Sequence, residues 1–183
     1  MLRIGYHIRL RWLFRFFRLF LNFVTIKKGT VLETQKFGEL AGSISPDGEA
    51  EVKIKLESVS TGIDIRDVRM RFVLFDIDQF PDATITAKID PEAISSVFDE
   101  ARMTYDLPVT LTIRGISKDL SIPVIISKLG DDLVSVASAA PVMVSTADFG
   151  MEDGLKQLSE AVGNIPITPS SPVTFELAFV PAN

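Results

Sequence analysis

The chain has 183 residues, nearly half of them apolar, with one His and no Cys; the length fits one domain with a sizeable core, and the composition excludes disulfides, thiol nucleophiles, Cys- or His-cluster metal sites and any Ser-His-Asp triad that does not use His7. The net charge of −5 divides unevenly. The first 28 residues hold seven Lys/Arg and no acid, which leaves twelve basic against 24 acidic side chains in the remainder, and so acidic a body is not expected to bind nucleic acid.

Residues 1–20, "MLRIGYHIRLRWLFRFFRLF", are a segment apart. Read as a helix, Arg3, His7, Arg11, Arg15 and Arg18 form one polar stripe against Ile4, Ile8, Trp12, Phe16, Phe17 and Phe20, with Arg9 as the misfit. Such a basic amphipathic helix suits contact with an anionic membrane surface. Its arginines argue against a membrane span and against an ordinary signal peptide, and no small-x-small cleavage site follows. The rival reading is a misassigned start or a degenerate export signal, with a domain from residue 21 to residue 183 behind it.

From about residue 20 the dominant period is two, the mark of strands with one apolar face. "LNFVTIKKGTVLETQKFGELAGSI" reads as a strand pair turning near Lys28-Gly29, and Pro46-Asp47-Gly48 is the next turn. "EVKIKLE" sets Val52, Ile54 and Leu56 against Glu51, Lys53, Lys55 and Glu57. The insert "STGIDIRDVRMRFVLFDIDQFPDATI" breaks the alternation. It reads as a short helix with Asp64 as N-cap and Asp67 at the positive end of the helix dipole. Arg66, Arg69 and Arg71 are expected to face mostly water, with Met70, Val73 and Leu74 over the end of the strands. The insert is then a plug with a solvated face, or a lid whose Arg66 meets the polar end of a ligand.

"TITAKI" then places Ile85, Ala87 and Ile89 on one face, and "PEAISSVF" reads as a second short helix. "VTLTI" aligns Val109, Leu111 and Ile113; "LSIPVII" aligns Leu120, Ile122, Val124 and Ile126, with Pro123 suggesting an edge, bulge or bend. "LVSVASAAPVMVSTADFG" reads as a long strand poor in bulk, "EDGLKQLSEAVG" as a third helix with Leu155, Leu158 and Val162 on one face, and "VTFELAF" as a strand aligning Val173, Phe175, Leu177 and Phe179. About eight strands with few helices favour antiparallel pairing and a barrel or sandwich.

Three stretches carry a resemblance. "SVSTGIDIRDVRM" with "LFDIDQFPDATI" supplies Thr61, Arg66-Asp67, Met70, Phe75-Asp76 and Phe80-Pro81; "LTIRGISKDLSIPV" supplies Leu111, Thr112, Gly115, Ser117 and Lys118; "TADFGM" supplies Asp148, Phe149 and Gly150. In this order and spacing they resemble the YceI family of bacterial lipocalin-like proteins, over about residues 21–180. Two departures stand out: the chain reads "TIKKG" where many members have a His, and Thr146 where the late segment often has an Arg.

The resemblance implies an all-β fold, an antiparallel up-and-down eight-stranded lipocalin-like barrel with short helical insertions, and a long apolar cavity. It implies non-enzymatic binding and carriage of an isoprenoid-type lipid, a polyprenyl or quinone chain, by a periplasmic or secreted protein. Candidate ligand-binding residues are Phe23, Val52, Ile54, Leu56, Ile85, Leu111, Ile113, Ile122, Phe175 and Leu177, with Arg66 from the insert. Small interior residues such as Ala87, Ser138 and Ala140 leave room for a chain, and a barrel of about eight strands can instead be filled by its own side chains. No cofactor, metal or catalytic residue is expected, because the carboxylate pairs Asp64/Asp67, Asp76/Asp78 and Asp131/Asp132 fall at turns and helix starts, where they cap backbone N–H groups. The alternative is a structural or stress-related barrel that binds no ligand and is tethered to a membrane by residues 1–20. A homodimer is compatible with either reading.

Overall fold

A computed structural model describes residues 12–14, 20–45, 47–90, 96, 101–130 and 133–181. Among the described residues, alternating apolar side chains build one antiparallel sheet of twelve strand segments. They are β1 (Trp12–Phe14), β2 (Phe20–Lys27), β3 (Val31–Phe37), β4 (Leu40–Ile44), β5 (Glu49–Lys55), β6 (Val59–Ser60), β7 (Asp82–Lys88), β8 (Arg102–Ile113), β9 (Ile116–Lys128), β10 (Val134–Ser138), β11 (Val142–Ser145) and β12 (Ser170–Pro181). Helix α1 (Asp64–Arg69), which runs on as a π-helical turn over Met70–Phe75, and helix α2 (Glu152–Glu160) are added.

The sheet path is β1-β4-β5-β7-β8-β9-β10-β12-β2-β3-β6, with β11 beside β12. β1 pairs with both β4 and β12, so the sheet curls round on itself. The hairpins follow the turn chemistry. Ile113 and Ile116 face each other across Arg114 and Gly115, both left-handed, the geometry whose twist matches the flanking strands. The apolar faces meet inside in a core containing Phe23, Ile54, Leu56, Leu111 and Leu177, while Glu51, Lys53 and Lys55 alternate outward.

Some expectations change. Trp12–Phe14 is a strand, where a helix over residues 1–20 was expected; it supplies partners to the open edges of β4 and β12, which outweighs local amphipathicity. The rest of residues 1–19 lies outside the described residues, as do Asp131, Asp132 and all of "PEAISSVF" except Ser96. Leu56 leaves the strand alternation for a short 3-10 turn, Leu56–Ser58. The expected long strand from Leu133 breaks into β10 and β11, because the Ser138 hydroxyl accepts from the Phe175 N–H at 3.2 Å where the ladder ends.

The turn at Asp47-Gly48 is held against β7's far end. Gly48 has φ +82°, its carbonyl accepts from the Ile89 N–H at 2.8 Å, and an added Cβ would stand 1.9 Å from the Ile89 carbonyl oxygen. Gly48→Ala therefore combines left-handed strain with a backbone clash. It is expected to cost at least about 1 kcal/mol, read as a lower urea midpoint with an unchanged slope.

Candidate functional site

In the antiparallel path the ends of β2, β5, β8 and β11 lie beside the starts of β3, β7, β9 and β12. Both helices cover this end of the sheet. Beneath them lies a cavity of about 370 Å³, within the usual range of ligand pockets (about 300–1,000 Å³). Its walls are almost wholly apolar. Leu21, Phe23 and Phe37 line one side and Ile85, Leu111, Ile113 and Ile122 another, with Val142, Val144, Val173 and Phe175 between. Met70, Leu74 and Phe75 roof it from the π turn that continues α1, Leu155 and Leu158 from α2, and Val162 from the turn that follows α2. The Phe37 ring lies 5.4 Å from Phe23 and 5.8 Å from Phe75, which ties wall to roof.

Nine of the eleven candidate residues line this space: Phe23, Ile54, Leu56, Arg66, Ile85, Leu111, Ile113, Ile122 and Phe175. Val52 and Leu177 do not. They point inward with the same parity but pack as buried core nearer the opposite end, where the space is filled. Ala87, Ser138 and Ala140 are also absent from the lining; Ala83, on β7, and Ser171, on β12, are small residues that border it. Periodicity gives the face of a residue but not its height along the strand. The α2 residues were legible as an apolar helix face, yet nothing in their spacing said what they would cover.

The roof is oriented by polar contacts. Asp67 is buried, and its Oδ1 accepts from both the N–H and the hydroxyl of Thr61. Asp64 is not the N-cap. That position is Ile63, whose side chain cannot cap; its carbonyl instead accepts the Arg66 and Asp67 N–H groups. Nor do the arginines point mainly to water. Arg66 donates to the Thr61 carbonyl at 2.9 Å and pairs with Glu33 at 2.5 Å, Arg71 donates to the Val59 carbonyl, and Arg66 and Arg69 border the cavity. The reason is the Asp67–Thr61 lock, which rotates the whole helix so that this side faces in.

Glu33 also accepts from Lys27 at 2.8 Å. That ammonium, foremost, holds the Glu33 carboxyl below the ordinary glutamate range; burial opposes it, and the Arg66 guanidinium adds to the lowering. Lys27 and Arg66 border the cavity with Thr25, Gln35 and Arg69, and with Thr146, Thr168 and Ser171 they make the polar part of a lining otherwise apolar. Gln35 is 2% exposed and donates to Thr25 Oγ1 at 3.2 Å. The other motif residues serve structure. Lys118 pairs with Asp148, Arg114 donates to the Gly150 carbonyl at 2.7 Å, and Phe149 is buried, so the β8–β9 hairpin grips the segment leading into α2. Among the described residues no group of three or more His, Asp or Glu stands close enough to hold a metal ion.

The model of the YceI-like domain family matches residues 21–179. The chain is similar in structure to a polyisoprenoid binding domain from Saccharophagus degradans implicated in plant cell wall breakdown, with a TM-score of 0.89 and 32% identity, over 95% of this chain and 100% of that one. It shares its fold with BcnA of Burkholderia cenocepacia (TM-score 0.63, 17% identity, 86% of this chain and 95% of that one). The Campylobacter jejuni YCEI protein is a more distant likeness (TM-score 0.53, 18% identity, 81% and 84%). No curated protein matches the chain.

Two predictions follow from the roof. Glu33 has a depressed folded-state pKa, so its stabilising contribution is present above the ordinary glutamate value and is lost as pH falls through the lower folded value. Glu33→Gln should therefore lower the melting temperature at pH 7 by the equivalent of at most about 1 kcal/mol, given partial exposure, and the two proteins should converge below the usual glutamate range. At Gly154 on α2, an added Cβ would lie 2.6 Å from the Val73 carbonyl oxygen. Gly154→Ala should push α2 off the π turn, cost about 1–3 kcal/mol, and raise amide exchange over residues 70–75 more than in the sheet.

Proposed function

The chain belongs to the YceI-like family, and from that premise we propose that it binds and carries one long apolar lipid of isoprenoid type in the cavity under α1 and α2. The observation that carries the reading is an almost wholly apolar cavity that the protein's own side chains leave unfilled. Each CH₂ moved from water into such a space gains about 0.8 kcal/mol. Ten of them give roughly 8 kcal/mol, the scale of micromolar affinity, before the costs of ordering are subtracted. Hardly any polar contact is needed, which suits a hydrocarbon chain. The similar Saccharophagus degradans domain is by its description polyisoprenoid-binding, which supports the same ligand class here.

The reading takes the curled sheet as an eight-stranded up-and-down barrel. β1 with β2, β3 with β4, β5 with β6, and β10 with β11 are then each one interrupted strand, and the pairing of β1 with β12 is the closure. It also makes the protein a binder and not an enzyme; the buried carboxylate at the site, Asp67, is already committed to Thr61. A quinone is one member of the class, and the reading goes with a location in the periplasm or outside the cell.

Ile113 and Phe175 are on different strands and both border the cavity. Ile113→Trp and Phe175→Trp should each reduce uptake of a C20 isoprenoid alcohol by at least about ten-fold, by occluding volume a chain would fill. Circular dichroism should report an intact sheet. Uptake unchanged in both folded variants would place the ligand elsewhere and contradict the proposal.

A further inference from the structure

The lid is apolar on its outer side. Ile65, Val68 and Phe72 recur at helical spacing and are 57%, 43% and 51% exposed, while Arg66, Asp67, Arg69 and Met70 turn inward. An ordinary surface helix has the reverse arrangement, with charge on the solvent side. Ile63 extends the outer face, and Leu32 (65% exposed) and Val31 stand at the start of β3, whose Glu33 is joined to the lid by Arg66. At the opposite end, among the described residues, Phe20 and Leu129 are the large exposed hydrophobics and stand singly. Scattered exposed apolar residues need no explanation, whereas a contiguous face does.

We infer that this face docks on a lipid bilayer, so that the protein meets a membrane lid-first. Three features select a bilayer over another protein. The face is continuous with the cavity, since one unbroken helix presents Met70, Leu74 and Phe75 to the cavity and Ile65, Val68 and Phe72 to the outside. The ligand class proposed for the cavity dissolves in membranes and not in water, so a lid that admits it is served by contact with a membrane; in this the inference rests on the lipid-binding reading. The charge is also complementary. Lys28 and Lys36 are exposed beside the patch, in a chain that is acidic as a whole, and Asp64 is the acid on the lid's outer face. Apolar insertion with flanking lysines is the composition of an interfacial helix on anionic lipid.

The absence of Cys allows a single-site label in the full chain. Leu32→Cys and, at the far end, Asp47→Cys are labelled with a polarity-sensitive dye and mixed with 3:1 phosphatidylcholine–phosphatidylglycerol vesicles. The label at 32 should shift to the blue and that at 47 should not, and salt should weaken the shift. Val68→Ser with Phe72→Ser should cut vesicle partitioning by at least about ten-fold with no change in melting temperature, since both side chains are exposed. A shift at 47 alone would mean docking through the end near β1 and would overturn the inference. So would a shift at 32 that grows with protein concentration in the absence of vesicles, which would mark a second copy as the occupant. If neither label shifts while the protein still takes up the isoprenoid alcohol from dispersion, docking fails and the cavity reading stands. A shift at 32 in a protein that takes up no lipid supports docking and refutes the cavity reading instead.

Discussion

The Asp67 carboxylate accepts two hydrogen bonds from Thr61, and the rotation of the lid about its own axis depends on that pair. A buried carboxylate without partners would cost several kcal/mol, so the helix has one orientation in which Asp67 can be buried. With Asp67 fixed inward, Arg66 reaches the Thr61 carbonyl and Glu33, and Met70 and Leu74 fall over the cavity. The same rotation turns Ile65, Val68 and Phe72 outward. One polar contact thus sets the inner lining, the polar corner and the character of the outer surface together.

The cavity owes its survival to how the roof is held. An open apolar space favours collapse, and side chains from the lid would fill it if α1 could sink. It is held up by the Arg66–Glu33–Lys27 group on one side and by α2 on the other, where Gly154 sits directly against the Val73 backbone. The grip of the β8–β9 hairpin on residues 148–150 fixes the entry to α2. These contacts are polar or backbone contacts at the cavity's edge and leave its interior to apolar walls. That division suits a site that binds by area and not by specific hydrogen bonds.

The strands and their inward faces were legible because period two is a local property: Ile54, Ile85, Leu111, Ile113 and Phe175 needed only their neighbours' alternation. Depth was not. Val52 and Leu177 have the same parity as their cavity-lining neighbours and differ from them by one step along a strand, which pattern alone cannot resolve. The lid arginines misled for a related reason. Charged side chains on a helix are ordinarily solvated, and the partners that reverse this, Thr61 and Glu33, become visible only when the strand and the insert are placed together. Trp12–Phe14 was misread because strand pairing is supplied by β4 and β12, far along the chain. The three family-like stretches showed more than composition could. In the structure several of their residues hold the roof in place: Thr61, Arg66, Asp67, Lys118, Asp148 and Phe149.

The most direct measurement is mass spectrometry of an organic extract from the purified protein, alongside native mass spectrometry of the intact chain. The account predicts one long-chain isoprenoid-type lipid per protein molecule, released by the solvent and taken up again by the stripped protein. A chain that carries no lipid and, once stripped, takes none up from excess long-chain isoprenoid would contradict it.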